Sequence, residues 1–440
     1  MTTAVILAMA VLGGVANAND FQAGVARKAI TPTGSIWMSG YAARHTPSEG
    51  VMHDLWAKAL AMKDGRGHRV VIVTIDVIGL PREVTDEVVA RLTKKHGLER
   101  KDIMLNAAHV HSGPIIWPNL RLLYDFSDKD KRQLIDYRAK LIDDLVEVAG
   151  EAMADLKPAT LAVGHGSASF GTNRRAWAKK KWAPVDHDAP VVRIAAPDGR
   201  IRVVLFGYAC HNTAFVETCH KLSGDYAGFA QIELEKAVPG ATAMFLMLCG
   251  ADQNPMPRGT EDLARQHGKA ICQAVQETLA GPMESPEPAI RTAYDEATLD
   301  IARVDRAAFH RELKSDNVFR RRRAAAILAD LDAGKNVWQQ AVPVQAIRLG
   351  GRVVLLGIGG EPVVDYPLRL KREFPKLNLI VAGYTNDVMC YIPSHRILME
   401  GGYEAVDNMV YYGKPGPFAG TVEDRVIAAC HRTLGEVGEK

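Results

Sequence analysis

The chain has 440 residues, 47% hydrophobic and 24% charged, enough apolar material for one large domain or two ordinary ones. Its formal net charge of +3 is too small to point to nucleic acid as a partner. The densest basic run, Arg320-Arg321-Arg322-Arg323, sits among Ala and Leu at helical spacing and reads as a solvated helix face.

At the N-terminus, residues 4–15 have the length of a signal-peptide apolar region, and Ala16-Asn17-Ala18 matches the small-x-small cleavage pattern. The run is too short to span a bilayer. Residues 1–18 are therefore expected to be a signal peptide, although Met1-Thr2-Thr3 carries no basic residue. The mature protein would begin near Asn19 and be exported, periplasmic or secreted. No later segment reads as a membrane helix, which leaves at most peripheral membrane contact. Six cysteines (Cys210, Cys219, Cys249, Cys272, Cys390, Cys430) show no CxxC spacing, so buried free thiols and one or two disulfides are both open.

In chain order, 21–30 alternates as a strand and ends at Thr31-Pro32-Thr33-Gly34. Runs 55–62 and 69–75 are strands joined by the hairpin signal Asp64-Gly65-Arg66-Gly67. Residues 81–96 have helical periodicity and stop at Gly97. Ile103-Met104-Leu105 then ends a buried strand and delivers Asn106-Ala107-Ala108-His109-Val110-His111-Ser112-Gly113-Pro114. Two imidazoles at i and i+2 on extended backbone share one side of the chain.

Residues 127–156 are the longest helical pattern, with Leu134, Tyr137, Leu141, Leu145 and Val148 on one stripe. A strand at 159–164 precedes a polar loop, 173–182. Its five basic residues, Arg174 and Arg175 among them, and its two tryptophans fit either a substrate mouth or an ordinary mobile loop. Strands 190–195 and 201–209 form a second hairpin that ends in Cys210-His211-Asn212-Thr213. A helix at 224–237, a strand at 243–248 ending in Gly250-Ala251-Asp252-Gln253-Asn254-Pro255, and a helix at 259–279 follow, then a loop rich in Pro and Glu. Beyond the Arg-rich helix, 342–349 and 352–358 form a third hairpin ending in Gly359-Gly360-Glu361-Pro362. Strand 377–382 leads to Tyr391, and a helix at 421–436 closes the chain, with Thr421 and Asp424 resembling a capping box. Hairpins outnumber βαβ units, no period repeats and no linker divides the chain. The expected fold is α/β: a single domain, 19–440, with a mixed β-sheet flanked by helices and a metal site at the C-terminal ends of strands.

Strand ends thus carry His109 with His111, His211, Glu361 and Tyr391. Singly, each has an ordinary reading: a hydrogen-bonded structural histidine, a glutamate opening a helix, a half-buried tyrosine. Strand ends on one side of a sheet converge, so they are read together. Two imidazoles and a carboxylate leave an open coordination position, as a catalytic zinc requires. Zinc lowers the pKa of bound water to about 7, and a neighbouring imidazole such as His111 can move protons. Asp252 and Asp225, in polar turns, are candidates to orient a ligand histidine. The HxH pattern also opens amidohydrolase barrels and metallo-β-lactamase-type sites. Ser112-Gly113-Pro114 after His111 argues against the latter, and the hairpins argue against a barrel.

From Phe21 to the C-terminal helix, the chain resembles the neutral/alkaline (non-lysosomal) ceramidases. The anchors are Gly24-Val25-Ala26 with Ile30-Thr31-Pro32, Gly40-Tyr41-Ala42, His109 to Pro114, Cys210 to Thr213, Gly250 to Pro255, Glu361 and the stretch 386–404. The resemblance implies that His109, His211, Glu361 and Tyr391 bind one zinc ion and that His111 acts beside it. It also implies that Tyr403 stabilises the developing oxyanion and that an arginine of the Asn173-Arg174-Arg175 run contacts substrate, Arg174 or Arg175, with Arg174 preferred. Two departures stand out. Asn254 occupies the place of a serine given a catalytic role in the family, so any mechanism here must rest on metal-activated water. Family members also carry a C-terminal immunoglobulin-like domain, which is not expected here beyond the closing helix. Both bear on ceramide as substrate more than on zinc hydrolysis.

Three functions follow. The first is an exported zinc hydrolase cleaving the amide of an N-acyl substrate, ceramide or a related small molecule or lipid. The second is a zinc hydrolase of a non-lipid ester, lactone or amide, favoured by the basic, Trp-bearing loop. The third is a non-catalytic binding protein on the same fold. An apolar groove at the metal would favour lipid, and a polar bowl ringed by Arg174, Arg175 and Lys179 would favour a polar substrate.

Overall fold

The structure is a computed structural model that describes residues 21–179 and 182–438. The expected signal peptide lies outside the described residues. Three sheets dominate and share one plan. The first holds β1 (Gln22–Ala29), β2 (Trp56–Lys63), β3 (Arg69–Ile75) and β4 (Ile103–Ala107), ordered β4-β3-β2-β1 with the short strand Lys157–Pro158 at its edge. The second holds β5 (Thr160–Ser167), β6 (Asp188–Ala195), β7 (Ile201–Tyr208) and β8 (Thr242–Met247), ordered β8-β7-β6-β5. The third holds β9 (Pro288–Asp300), β10 (Gln339–Gly350), β11 (Val353–Ile358) and β12 (Asn378–Ala382), ordered β9-β10-β11-β12.

Within each sheet the first three strands pair antiparallel, and the fourth runs parallel to the third. A parallel partner cannot be reached through a tight turn, so a helix makes the crossover. Each unit therefore has a helix between its third and fourth strands and a long helix after the fourth: α1 (Arg82–His96) and α2 (Asp128–Ala154), α3 (Asp225–Ala237) and α4 (Glu261–Ala280), α5 (Asp365–Glu373) and α6 (Val422–Glu436).

Side-chain alternation gives every sheet two buried faces. Along β3, Val71, Val73 and Ile75 pack with Leu92 of α1 and Leu141 of α2, while Val70 and Ile72 turn the other way. There they join Leu205 and Leu246 of the second sheet and Leu355 and Ile380 of the third in one central core. The fourth strands meet through Asn106 at the end of β4. Its Oδ1 accepts from Met247 N (2.8 Å), and its Nδ2 donates to Gly383 O (2.8 Å).

The expected mixed strand directions are present, divided among several sheets rather than gathered in one. β9 carries little strand signal, because Pro and Glu lead into it and Arg291, Asp295 and Glu296 interrupt its apolar alternation. The polar loop at 173–182 is partly ordered: Asn173 closes a short strand, Gly171–Asn173, and Arg174–Lys179 is helical. Thr421 makes no side-chain cap, because its ψ of 2° already places it in the helical turn and not in an extended capping conformation. All six cysteines are free thiols.

Candidate active site

The third and fourth strands of all three units end on the same site. Ile78 follows β3 and His109 follows β4; His211 follows β7 and Gly250 follows β8; Glu361 follows β11 and Tyr384 follows β12. In each unit one strand end presents a reactive side chain and the other supports it or a neighbour's. His109 Nδ1 donates to Ile78 O (2.8 Å), and His211 Nδ1 donates to Gly250 O (2.9 Å). With Nδ1 carrying the proton, each Nε2 offers a lone pair inward, as in metal-ligating imidazoles. His109 (φ 58°) and Tyr384 (φ 51°) hold left-handed backbone, which costs a non-glycine residue about 1–3 kcal/mol. Their rings lie 4.3 Å apart, centroid to centroid.

Four donor atoms converge. Glu361 Oε2 lies 3.1 Å from His109 Nε2 and 3.5 Å from His211 Nε2, and Tyr391 Oη lies 3.1 Å from His211 Nε2. Tetrahedral zinc with bonds of roughly 2.0–2.2 Å needs donor–donor edges of about 3.3–3.6 Å. Two nitrogens, a carboxylate and a phenol at these separations fit such an ion. Glu361 is 1% exposed; Tyr412 donates to its Oε1, and Tyr384 Oη lies 3.4 Å from its Oε2. Burial opposes the Glu361 charge, but the adjoining His109 and His211 hold its carboxyl well below the usual range. Burial, reinforced by His109, pushes His211 down to about 4, so it is a neutral imidazole at neutral pH.

His111 differs from the other two histidines. Its Nε2 lies 3.2 Å from His109 Nε2, but its Nδ1 is buried without a partner, against Gly40, where a Cβ would approach to 2.3 Å. No carbonyl fixes its tautomer. Its backbone is held by Arg44, 2% exposed, whose Nη1 donates to His111 O (2.7 Å). Burial and the two neighbouring imidazoles depress its pKa well below the ordinary value, leaving a neutral base. One ring nitrogen from each of the three histidines lies within 4.8 Å of the others, so the trio could also hold a metal ion.

Above these groups is a cavity of about 200 Å³. It is lined by Tyr41, Tyr391, Tyr403, Tyr411 and Tyr412, by Ile78, Leu120 and Leu123, and by Glu217 at the rim. Arg174 and Arg175 do not line it. Arg174 stands behind the phenols: its guanidinium is 5.5 Å from the Tyr391 ring and 5.2 Å from the Tyr403 ring, and Nη2 donates to Tyr391 Oη (3.3 Å). Arg175 turns away to Glu400 and Glu404. The side chain of Lys179 lies outside the described residues.

The two aspartates expected to orient a histidine do not touch one. Asp252 accepts from Val364 N (2.9 Å) and Asn173 Nδ2 (2.7 Å), and Asp225 accepts from the amides of Ala214 and Phe215 (both 3.0 Å). They fix the turns around the site, while backbone carbonyls orient the imidazoles. Asn254 is buried in the strand Gln253–Pro255, paired with Gly171–Asn173. Three contributors went unforeseen. Tyr384 follows a strand end, the same signal that marks Glu361. Tyr412 and Glu404 lie in irregular backbone, with no sequence signal.

A family profile described as neutral/alkaline non-lysosomal ceramidase, N-terminal, matches residues 21–281. The chain is 26% identical to a neutral ceramidase of Mycobacterium tuberculosis, over 83% of this chain and 70% of that protein. It is 25% identical to neutral ceramidase A of Dictyostelium discoideum, over 51% of this chain and 33% of that protein. The fold superposes on the crystal structure of neutral ceramidase from Pseudomonas aeruginosa with a TM-score of 0.72, at 19% identity, covering 94% of this chain and 75% of that one.

Proposed function

Because the chain belongs to the neutral/alkaline non-lysosomal ceramidase family, we propose that it is a zinc-dependent amidase that hydrolyses the amide of an N-acylated substrate, ceramide or a related molecule. The observation that carries this reading is the convergence of His109 Nε2, His211 Nε2, Glu361 Oε2 and Tyr391 Oη under a tyrosine-lined cavity. These four residues hold the ion. When bound, zinc supplies a water of pKa about 7 and polarises a carbonyl oxygen.

His111 is the proton carrier. Neutral, and with Nε2 the ring nitrogen that faces the cluster, it accepts the proton of the attacking water and passes it to the departing amine nitrogen. Tyr403, 39% exposed on the cavity wall, donates its hydroxyl to the developing oxyanion. Arg174 sits behind Tyr391 and Tyr403 and lends positive potential to both phenols. Asn254 supplies no nucleophile, which supports water as the attacking group.

Residues 1–18 serve as the signal peptide of an exported protein; no helix among the described residues is long and apolar enough to cross a membrane. A second reading, hydrolysis of a non-lipid amide, ester or lactone, is favoured by the cavity of about 200 Å³, below the roughly 300–1,000 Å³ of drug-sized ligand sites. The test is metal analysis of the purified protein together with turnover of a short-chain labelled ceramide, an N-acyl anilide and a short-chain aryl ester. Bound zinc and cleavage of either amide, both lost in His211→Ala, support an amidase. Bound zinc with no turnover of amides or esters means a binding protein.

A further inference from the structure

Two helices, Arg306–Glu312 and Val318–Asp332, are inserted between β9 and β10 and keep a small core of their own, Phe309, Ala324, Ile327 and Leu328. The second carries the arginine run expected on a solvated face, yet of the four only Arg320 is exposed. Arg321 Nη1 donates to Ser315 O (2.6 Å) and Arg323 donates to Glu312, so both hold the insertion together. Arg322 reaches out of it: Nη1 donates to Leu122 O and to Leu123 O, each at 3.2 Å. Its Nη2 lies 3.6 Å from Asp125, a fully exposed side chain, so that ion pair contributes little.

The two carbonyls belong to a turn that walls the catalytic cavity. Leu123 N donates to Leu120 O (3.0 Å), and the side chains of both leucines line the cavity. Leu120 holds left-handed backbone (φ 55°), which a leucine keeps only where its surroundings impose it. Packing imposes little here. Besides the catalytic cavity, spaces of about 400 and 440 Å³ border the turn, and the larger one separates Leu122 from Ala325, Ala326 and Ala329 of the inserted helix. Asn119 Nδ2 donates to Val388 O (3.2 Å) and Tyr124 Oη to Tyr41 O (2.7 Å), which fastens the two ends of the stretch. Between them the main chain is tied by Arg322, whose Nη1 has one N–H for each carbonyl.

We propose that Arg322 is a positioning residue of the active site. By tying the 120–123 turn it fixes how far Leu120 and Leu123 stand into the cavity, and so how bulky a group the cavity accepts against them. The effect on substrate choice rests on the amidase reading; the tie itself does not.

The test compares Arg322→Met with Arg320→Met, the same change at the exposed position of the same helix. Amide hydrogen exchange across 119–125 should quicken about tenfold in Arg322→Met and stay at the parent rate in Arg320→Met. With N-acetyl and N-octanoyl anilides, Arg322→Met should raise KM for the acetyl compound about tenfold, the low end of what one methylene of misfit costs. Its kcat should stay within about twofold, and the preference should shift toward octanoyl. Arg322→Lys keeps the charge beside Asp125 but loses the planar guanidinium; it should lie between parent and Arg322→Met, and provides the reading if Arg322→Met does not fold. Unchanged exchange, or quickened exchange with the parent's acetyl-to-octanoyl preference, overturns the proposal. If the native protein cleaves no amide, the amidase reading fails by itself. The preference is then read from the Kd of acetate and of octanoate on the zinc-loaded protein, with the same outcomes deciding.

Discussion

Tyr412 donates its hydroxyl to Oε1 of Glu361, while the carboxylate's other oxygen lies 3.1 Å from His109 Nε2. The phenol fixes the carboxylate plane and so decides which oxygen faces the histidines. Partners of this kind typically contribute about 10- to 100-fold to metal affinity. Tyr412→Phe should therefore weaken zinc binding by that factor in competition with a chelator. An unchanged affinity would mean that Tyr384, 3.4 Å from Glu361 Oε2, suffices to orient it.

His109 and His211 each have an Nδ1 held by a backbone carbonyl, and His111 has none. His111→Ala should keep one metal per chain and lose about 10²- to 10⁴-fold in turnover, as for removal of a general acid or base. His109→Ala and His211→Ala should come through dialysis without metal. If His111→Ala were also metal-free, that imidazole would belong to the ligand set.

Arg175 and Glu404 are both 3% exposed and form an ion pair, and Glu404 also takes Arg174 Nε at 2.6 Å. Removing one partner of a buried pair costs about 3–5 kcal/mol where it strands the other charge; here Glu404 keeps Arg174, so the cost falls below that range. Arg175→Ala should lower the urea midpoint accordingly. Arg174, 21% exposed and next to Tyr391, should behave differently. Arg174→Lys keeps the charge but loses the planar fork, so kcat should fall with little change in midpoint.

Burial pushes the Asp76 carboxyl up to about 6, against the opposing pull of Lys58 and the Trp56 amide. An unfolded Asp titrates near about 3.9, so the folded state holds this proton more tightly. Its contribution to stability is therefore greatest below pH of about 4, declines as pH rises to about 6, and is level above that. Asp76→Asn removes the titration. Its stability relative to the parent should increase across that window, by up to about 3 kcal/mol, in urea melts taken at several pH values. A difference that stays flat with pH would refute the assignment.

Most strands and the longer helices were legible in the sequence because period-2 and period-3.6 patterns are local. Val71, Val73 and Ile75 alternate with Val70 and Ile72 whatever lies across from them. β9 was not legible: its strand identity comes from eleven paired positions along β10, a long-range relation that its Glu, Asp and Arg residues mask.

The sequence by itself determined which side chains could do chemistry: His109, His111, His211, Glu361 and Tyr391 are chemically able groups at or beyond breaks in apolar strands. Only the tertiary structure decided how they share the work. The carbonyls that turn His109 and His211 inward, the phenol that orients Glu361 and the glycine that packs against His111 Nδ1 come from distant parts of the chain. The physical reason is that an imidazole's role depends on which of its nitrogens is bonded. That is set where neighbouring strand ends meet, Ile78 O against His109 and Gly250 O against His211, and not by residue type or spacing along any one strand.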